Sequence, residues 1–206
     1  MNWFDANSLK PEQYAKPRMA SRNEIETAFE EAHEDLFWIG LLITGNAYTS
    51  IESITHASGL SIITGVYQDW LVHWAKSITA RVAVDITHES IAQVASRYEE
   101  RGCTHREHAA FSDAETEWFR QVDPNEVIAA LDPLARSVAV LRGVQKVSTS
   151  ECASMLELSH RCIIGAYCHA LQWTRQRRSA LMITDSKALS QSSSQLSMDG
   201  MDLNQL

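Results

Sequence analysis

The residues best placed to do chemistry lie between Ser148 and Arg178. Ser148-Thr149-Ser150-Glu151 has capping-box form, the hydroxyl taking an orphan amide while the carboxylate reaches back. A helix carrying Cys152, Met155 and Leu156 follows, and after Leu158 a second cap, Ser159, opens a final helix expected to run to about Arg178. Two short helices joined by about three residues have helix-turn-helix spacing, in which the second helix enters a major groove while the first supports it. On that second helix Ile163, Tyr167, Ala170 and Leu171 fit a buried face, which turns His160, Arg161, Ile164, Gly165, His169 and Gln172 outward. An outward arginine such as Arg161 suits a guanine edge or a phosphate, and equally suits plain solvation. Arg175, Arg177 and Arg178 form the densest basic run, suited to phosphates at a groove edge and also to the negative end of a helix.

Other chemistry has weaker support. Cys103, His105 and His108 lie close together, but a fourth zinc ligand at suitable spacing is missing. There is no glycine-rich phosphate loop, nucleophile elbow or H-E-x-x-H helix. The expectation is therefore no enzyme, no metal, no cofactor and no small-molecule substrate. The four cysteines (Cys103, Cys152, Cys162 and Cys168) show no framework spacing and are expected to be reduced thiols in a cytoplasm. No apolar run is long enough for a membrane span, and Met1-Asn2-Trp3-Phe4-Asp5 lacks the form of a secretion signal.

Charge is unevenly spread. The net −8 resolves into +1 over residues 1–21, −7 over 22–101, −3 over 102–123, +3 over 124–178 and −2 over 179–206. Only 124–178 is electrostatically suited to sit beside phosphates.

The elements that must position these residues read as helices throughout. Hydrophobic residues make up 45% of the chain, enough for a core, while Gly and Pro number only 8 and 4. Residues 1–20, with Pro11 and Pro17 and no clear period, predict a loose arm. Ser21-Arg22-Asn23-Glu24 caps a helix whose stripe of Ile25, Phe29, Ala32, Leu36, Ile39 and Ile43 ends at Gly45. Thr49-Ser50-Ile51-Glu52 predicts a second cap and a short helix bearing Ile51 and Ile54, with Gly59 and Gly65 bracketing a connector. Val66, Trp70, Trp74, Ile78 and Val82 mark the next helix, and Ile91, Ala95 and Tyr98 a fourth. Trp38, Trp70 and Trp74 are assigned to core packing.

Residues 102–122 read as a linker, within which Ser112 starts a short segment carrying Trp118 and Phe119. Asp123-Pro124 and Asp132-Pro133 each place an N-cap before a proline at the first helical position. The second of them opens a helix of Leu134, Val138 and Leu141 that closes at Gly143. The expected fold is all-α, with a helical bundle at 21–101, a helix-turn-helix domain at 123–178 and a disordered serine-rich tail at 179–206.

Two stretches resemble the extracytoplasmic-function sigma factors, a bacterial RNA polymerase family. Leu131, Arg136, Val138, Leu141, Arg142, Ser148, Glu151, Ala153, Leu156 and Ser159 match that family's "L-x-x-x-x-R-x-V-x-x-L-R" and "S-x-x-E-x-A-x-x-L-x-x-S" patterns in its promoter-reading domain (region 4). Leu36, Thr44-Gly45-Asn46 and Ala57 resemble its N-terminal domain (region 2), and Tyr67 through Trp70-Leu71 to Lys76 resembles the helix that contacts the melted strand. Together the likeness spans roughly residues 24–178.

The resemblance implies two helical domains and a non-enzymatic role in transcription initiation, with core RNA polymerase and promoter DNA as partners and an anti-sigma or other protein as a further one. It implies DNA contact through His160, Arg161, Ile164, Gly165, His169, Gln172 and Arg175. Strand contact would fall to His73, Lys76 and Arg81, and polymerase docking to Glu52, Thr55 and His56. The departures are specific. Of the family's acidic docking set only Glu52 remains, Ser77 stands where an Asn is usual, and two basic positions of the recognition helix have become Ile164 and Ala166. Glu157 replaces the usual turn glycine. The alternative expectation is a sigma-derived protein-interaction module that has lost promoter binding. A helical DNA-binding regulator that never touches polymerase is a third.

Overall fold

In the computed structural model, residues 18–100 and 110–198 are described, with backbone alone for residue 100 and residues 182–198. The described residues are all-α, and their one β-contact is an isolated antiparallel bridge between Met19 and Tyr67. The elements are α1 (Arg22–Glu31), α2 (His33–Thr44), α3 (Ala47–Thr64), a 3-10 turn (Gln68–Trp70), α4 (Leu71–Glu100), α5 (Asp113–Gln121), α6 (Pro124–Ala130), α7 (Pro133–Val138), a π turn (Ala139–Val144), α8 (Thr149–Leu156) and α9 (His160–Met198). No helix among them is long and apolar enough to cross a membrane.

Local signals fixed most helix starts. Ser21, Ser112 and Ser148 each form the reciprocal capping box with Glu24, Glu115 and Glu151. Asp123 and Asp132 cap α6 and α7 with proline in the first turn. Gly45 closes α2 in the left-handed conformation at φ 72°.

Other boundaries moved. The stripe read as one helix is broken at Ala32 (φ −89°, ψ 3°), and it serves two cores, the change falling within α2 between Leu36 and Ile39. Ile25, Ala28, Phe29 and Leu36 pack with Ile54, Ala57 and Leu71, whereas Ile39, Leu42 and Ile43 join the larger core. Thr49 is not a cap: Asn46 is, its side chain accepting from the Thr49 amide. The short helix expected there runs on through Gly59 to Gly65, so Gly59 lies within α3. The two helices expected across 66–98 are one, α4, because nothing from Leu71 to Glu100 supplies a stop signal. Gly143 sits inside the π turn, where the Gln145 amide bonds the Val140 carbonyl, and its missing Cβ makes room for the Phe111 ring. The last helix does not end near Arg178; no Gly or Pro interrupts residues 179–198, and α9 runs to Met198.

The hydrophobic core falls into two clusters, the larger of which spans both of the segments expected as domains. The larger core draws Ala80, Ala83, Val84, Ile91, Ala95 and Tyr98 from α4 together with Phe119, Leu134, Leu141, Leu156, Ile163 and Leu171 from beyond the linker. At 30 residues α4 spans about 45 Å, enough for its first half to serve the small core and its second half the large one. Within the N-terminal bundle α2 and α3 approach closely at Gly40, where an added Cβ would lie 2.5 Å from Ser50 Oγ. That hydroxyl donates to the Phe37 carbonyl at 2.8 Å.

Candidate functional site

Helix α8, the residues Glu157-Leu158-Ser159 and helix α9 follow one another in the chain. Glu157 adopts the left-handed conformation (φ 54°, ψ 37°), at a cost of about 1 kcal/mol for a residue with a side chain. Ser159 Oγ caps α9 by accepting from the Cys162 amide at 3.1 Å. The inward face is as expected, with Ile163, Tyr167, Ala170 and Leu171 all buried. Tyr167 is held three ways: its hydroxyl accepts from the Phe111 amide at 2.8 Å, its ring stacks near Phe111, and the Arg142 guanidinium lies 4.5 Å over its face.

The outward face is not all outward. His160, Arg161, Gln172 and Arg175 are exposed, but Ile164 and His169 are half-buried and Gly165 is buried. At His169 the cover is α4, whose last turns lie along α9. Glu99 accepts a hydrogen bond from Ser159 Oγ, the Ala95 carbonyl takes the Cys162 thiol at 3.3 Å, and the Tyr98 hydroxyl meets His169 Nδ1 at 2.8 Å. Tyr98 also donates to Asp132 Oδ2 at 2.6 Å, so its hydroxyl hydrogen is committed there and His169 must supply the proton of the other bond. The surface assigned to DNA is therefore divided, and part of it faces protein.

The basic run is also engaged. Arg175 donates to Glu115 at 2.6 Å, and Arg177 makes a two-pronged contact with Glu126 at 2.9 and 3.0 Å. Burial pushes the Glu115 carboxyl up. The Arg175 guanidinium, with the Ser112 amide and hydroxyl, outweighs this and holds it below the usual carboxylate range. These pairs fasten α9 to α5 and α6 and draw charge away from phosphate contact.

In the N-terminal half, His73 is exposed, with Trp70 edge-on at 6.2 Å. Lys76 is half-buried and paired with Asp35, and Arg81 is paired with Asp85. Neither Lys76 nor Arg81 is a free cation. Trp70, assigned to the core, is instead 63% exposed, because the 3-10 turn before α4 rotates it off the bundle. Trp38 and Trp74 are partly buried against the two cores, as expected, and Trp74 Nε1 donates to Ser61 Oγ.

Glu52, Thr55 and His56 all lie exposed on α3. The sequence reading missed their neighbours: Tyr48 (78% exposed), Ile51, Leu60 and Ile63 (82% exposed) continue the same face. Their spacing by three and four residues, opposite Ser50, Ile54, Ala57 and Ser61, was a legible signal. Between this face and Val82 and Ile86 of α4 runs a groove of about 630 Å³. Contiguous exposed apolar surface of this kind marks docking sites.

The thiols depart from expectation. Cys152 and Cys162 are free and buried, and burial pushes them up to about 12 and about 11. Cys168 is disulfide-bonded, correcting the expectation of four reduced thiols. Cys103, His105 and His108 lie outside the described residues.

No protein-family model matches this sequence, and no curated protein or solved structure is significantly similar to it.

Proposed function

We propose that this chain is a sigma-derived transcription regulator that works through protein contact. The outer face of α3, with Glu52, Thr55, His56 and the apolar residues Tyr48, Ile51 and Ile63, docks on core RNA polymerase. The contact of α4 with α9 through Tyr98–His169 and Glu99–Ser159 is the observation that carries this reading over promoter recruitment. A recognition helix partly covered by its own chain, with Arg175 and Arg177 of its basic run paired to Glu115 and Glu126, is poorly equipped to read a groove. On this reading the protein is not an enzyme, acts in the cytoplasm where polymerase is found, and has no promoter preference of its own.

The test is capture of purified core RNA polymerase by the full chain. Ile63→Asp, at an exposed position, is expected to abolish capture without altering the fold, and Arg161→Ala to leave it intact. Retained capture by the Ile63 variant would overturn the docking face.

Promoter recruitment is the second reading, favoured by the exposure of His160, Arg161 and Gln172 near the start of α9. It requires a salt-sensitive DNA shift that Arg161→Ala weakens by about 1–3 kcal/mol. Replacing Ile164 by Lys, which restores the family's basic position, should then strengthen the shift. Absence of any DNA shift at low salt removes this reading.

A further inference from the structure

The connector between α3 and α4 fixes the point at which residues 1–17 join the described chain. The Gln68 amide donates to the Arg18 carbonyl at 3.1 Å, and the Ala20 amide to the Val66 carbonyl at 2.7 Å. Met19, between them, pairs with Tyr67 in the isolated bridge, and a Cβ at Gly65 would stand 2.6 Å from its terminal methyl. Gly65 is two residues past Ile63, which lines the α3–α4 groove. Residues 1–17 therefore lead away from the chain beside one end of that groove.

The groove calls for an apolar occupant. Leu60, Ile63 and Ile86 line it and are exposed, and Val82 lines it from the core. Gly59 leaves room, with nothing within 4 Å of where its Cβ would stand. Two of the polar residues along it are engaged within their own helices. Thr55 Oγ1 donates to the Ile51 carbonyl at 3.0 Å, and Asp85 accepts from Arg81 Nε at 3.2 Å. His56 completes the lining and is exposed. Covering such a surface is favourable in proportion to the apolar area removed from water.

Residues 1–17 carry that area in Trp3, Phe4, Leu9 and Tyr14. The adjacent aromatics Trp3 and Phe4 can each bury roughly 150–250 Å². Phe4 stands 14 residues before Arg18, a reach of up to about 46 Å. From Thr55 to Ile63 the groove follows α3 for only about 12 Å. The tether therefore spans it with slack, and holds the two aromatics at an effective concentration on the order of millimolar.

We propose that residues 1–17 fold back over the α3–α4 groove and seat Trp3 and Phe4 against Leu60, Ile63 and Ile86. The arm then covers part of the face assigned to polymerase, and a partner must displace it to dock. That regulatory consequence rests on the docking reading; the contact of arm with groove does not.

The test uses the full-length chain with Phe4 replaced by the photo-crosslinker p-benzoylphenylalanine. An equal mixture of nitrogen-14 and nitrogen-15 chains separates links within a chain from links between chains. Irradiation followed by peptide mass spectrometry is expected to join position 4 to residues 55–63 or 82–86 of the same chain. Ile63→Asp should abolish the link, whereas Tyr48→Asp, exposed on α3 but outside the groove, should retain it. No link, links confined to other segments, or a link that Ile63→Asp leaves unchanged overturns the proposal. Links only between chains also overturn it and assign the groove to a second copy. Trp3→Ser combined with Phe4→Ser should capture more core RNA polymerase than the parent, and equal capture overturns the regulatory consequence. Should neither capture polymerase, the docking reading fails while the cross-link still decides the arm.

Discussion

Arg136 Nε donates to the Leu42 carbonyl oxygen at 2.8 Å, joining the last turn of α2 to α7 across 94 residues of sequence. The same guanidinium bonds the Leu131 carbonyl at 2.7 Å through Nη1, and it lies so close to Gly45 that a Cβ there would stand 2.8 Å from Nη2. The Thr44-Gly45-Asn46 turn at the end of α2 and Arg136 of α7 are thus in close contact. Burial lowers the Arg136 pKa from its ordinary value, and the charge of Asp132 opposes that.

Replacing Arg136 by Met should be among the most damaging single changes. It leaves buried carbonyls at Leu42 and Leu131 without a donor, each at about 1–3 kcal/mol. A urea unfolding midpoint that barely moves would show that these carbonyls find other partners.

Three glycines should behave differently when changed to Ala. Gly45 has φ 72° and meets Arg136, and Gly143 would place its Cβ 2.6 Å from the Phe111 ring. Both should destabilise by about 1–3 kcal/mol. Gly59 has nothing within 4 Å and lies inside α3, so Gly59→Ala should stabilise by about 0.5–1 kcal/mol. Thermal melts of the three variants give the signs directly.

The acid limb of stability should carry a signature of Glu115. Its folded-state pKa lies below the usual carboxylate value, so its contribution is complete above the unfolded pKa, about 4.3, and is lost as pH falls through the folded value. Glu24, held down to about 2 mainly by Arg18, follows the same sign over the window from about 4.3 to about 2. Glu115→Gln should flatten the dependence of the urea midpoint on pH below about 4.5. An unchanged slope would mean that the pairing with Arg175 does not survive in solution.

The closure of α4 on α9 should be cooperative at Tyr98 and His169. Tyr98→Phe and His169→Ala should each cost about 1 kcal/mol, with the double variant less destabilised than their sum. Strict additivity would show that the two side chains do not interact.

Cys152 and Cys162 should be inert to thiol reagents in the native state, since only the thiolate attacks and burial keeps both protonated. Titration with a disulfide reagent at pH 8, before and after denaturation, measures this; rapid native reaction at either would contradict their burial.

The amino-acid sequence by itself determined what depends on neighbours in the chain. The capping boxes at Ser21, Ser112 and Ser148, the Asp-Pro starts of α6 and α7, and the inward face of α9 were all legible, because hydroxyl, carboxylate and amide lie within one helical turn. What stops a helix was less legible, since α4 and α9 continue wherever no residue forbids it. Only the tertiary structure decided which outward residues remain outward. His169 sits on the polar side of α9 by periodicity, yet α4 covers it, and the Tyr98–His169 contact joins residues 71 apart. Periodicity reports the face a helix turns to its nearest core. A second helix packing on the opposite side leaves no local trace, because its cause is the closure of a long loop around the shared core.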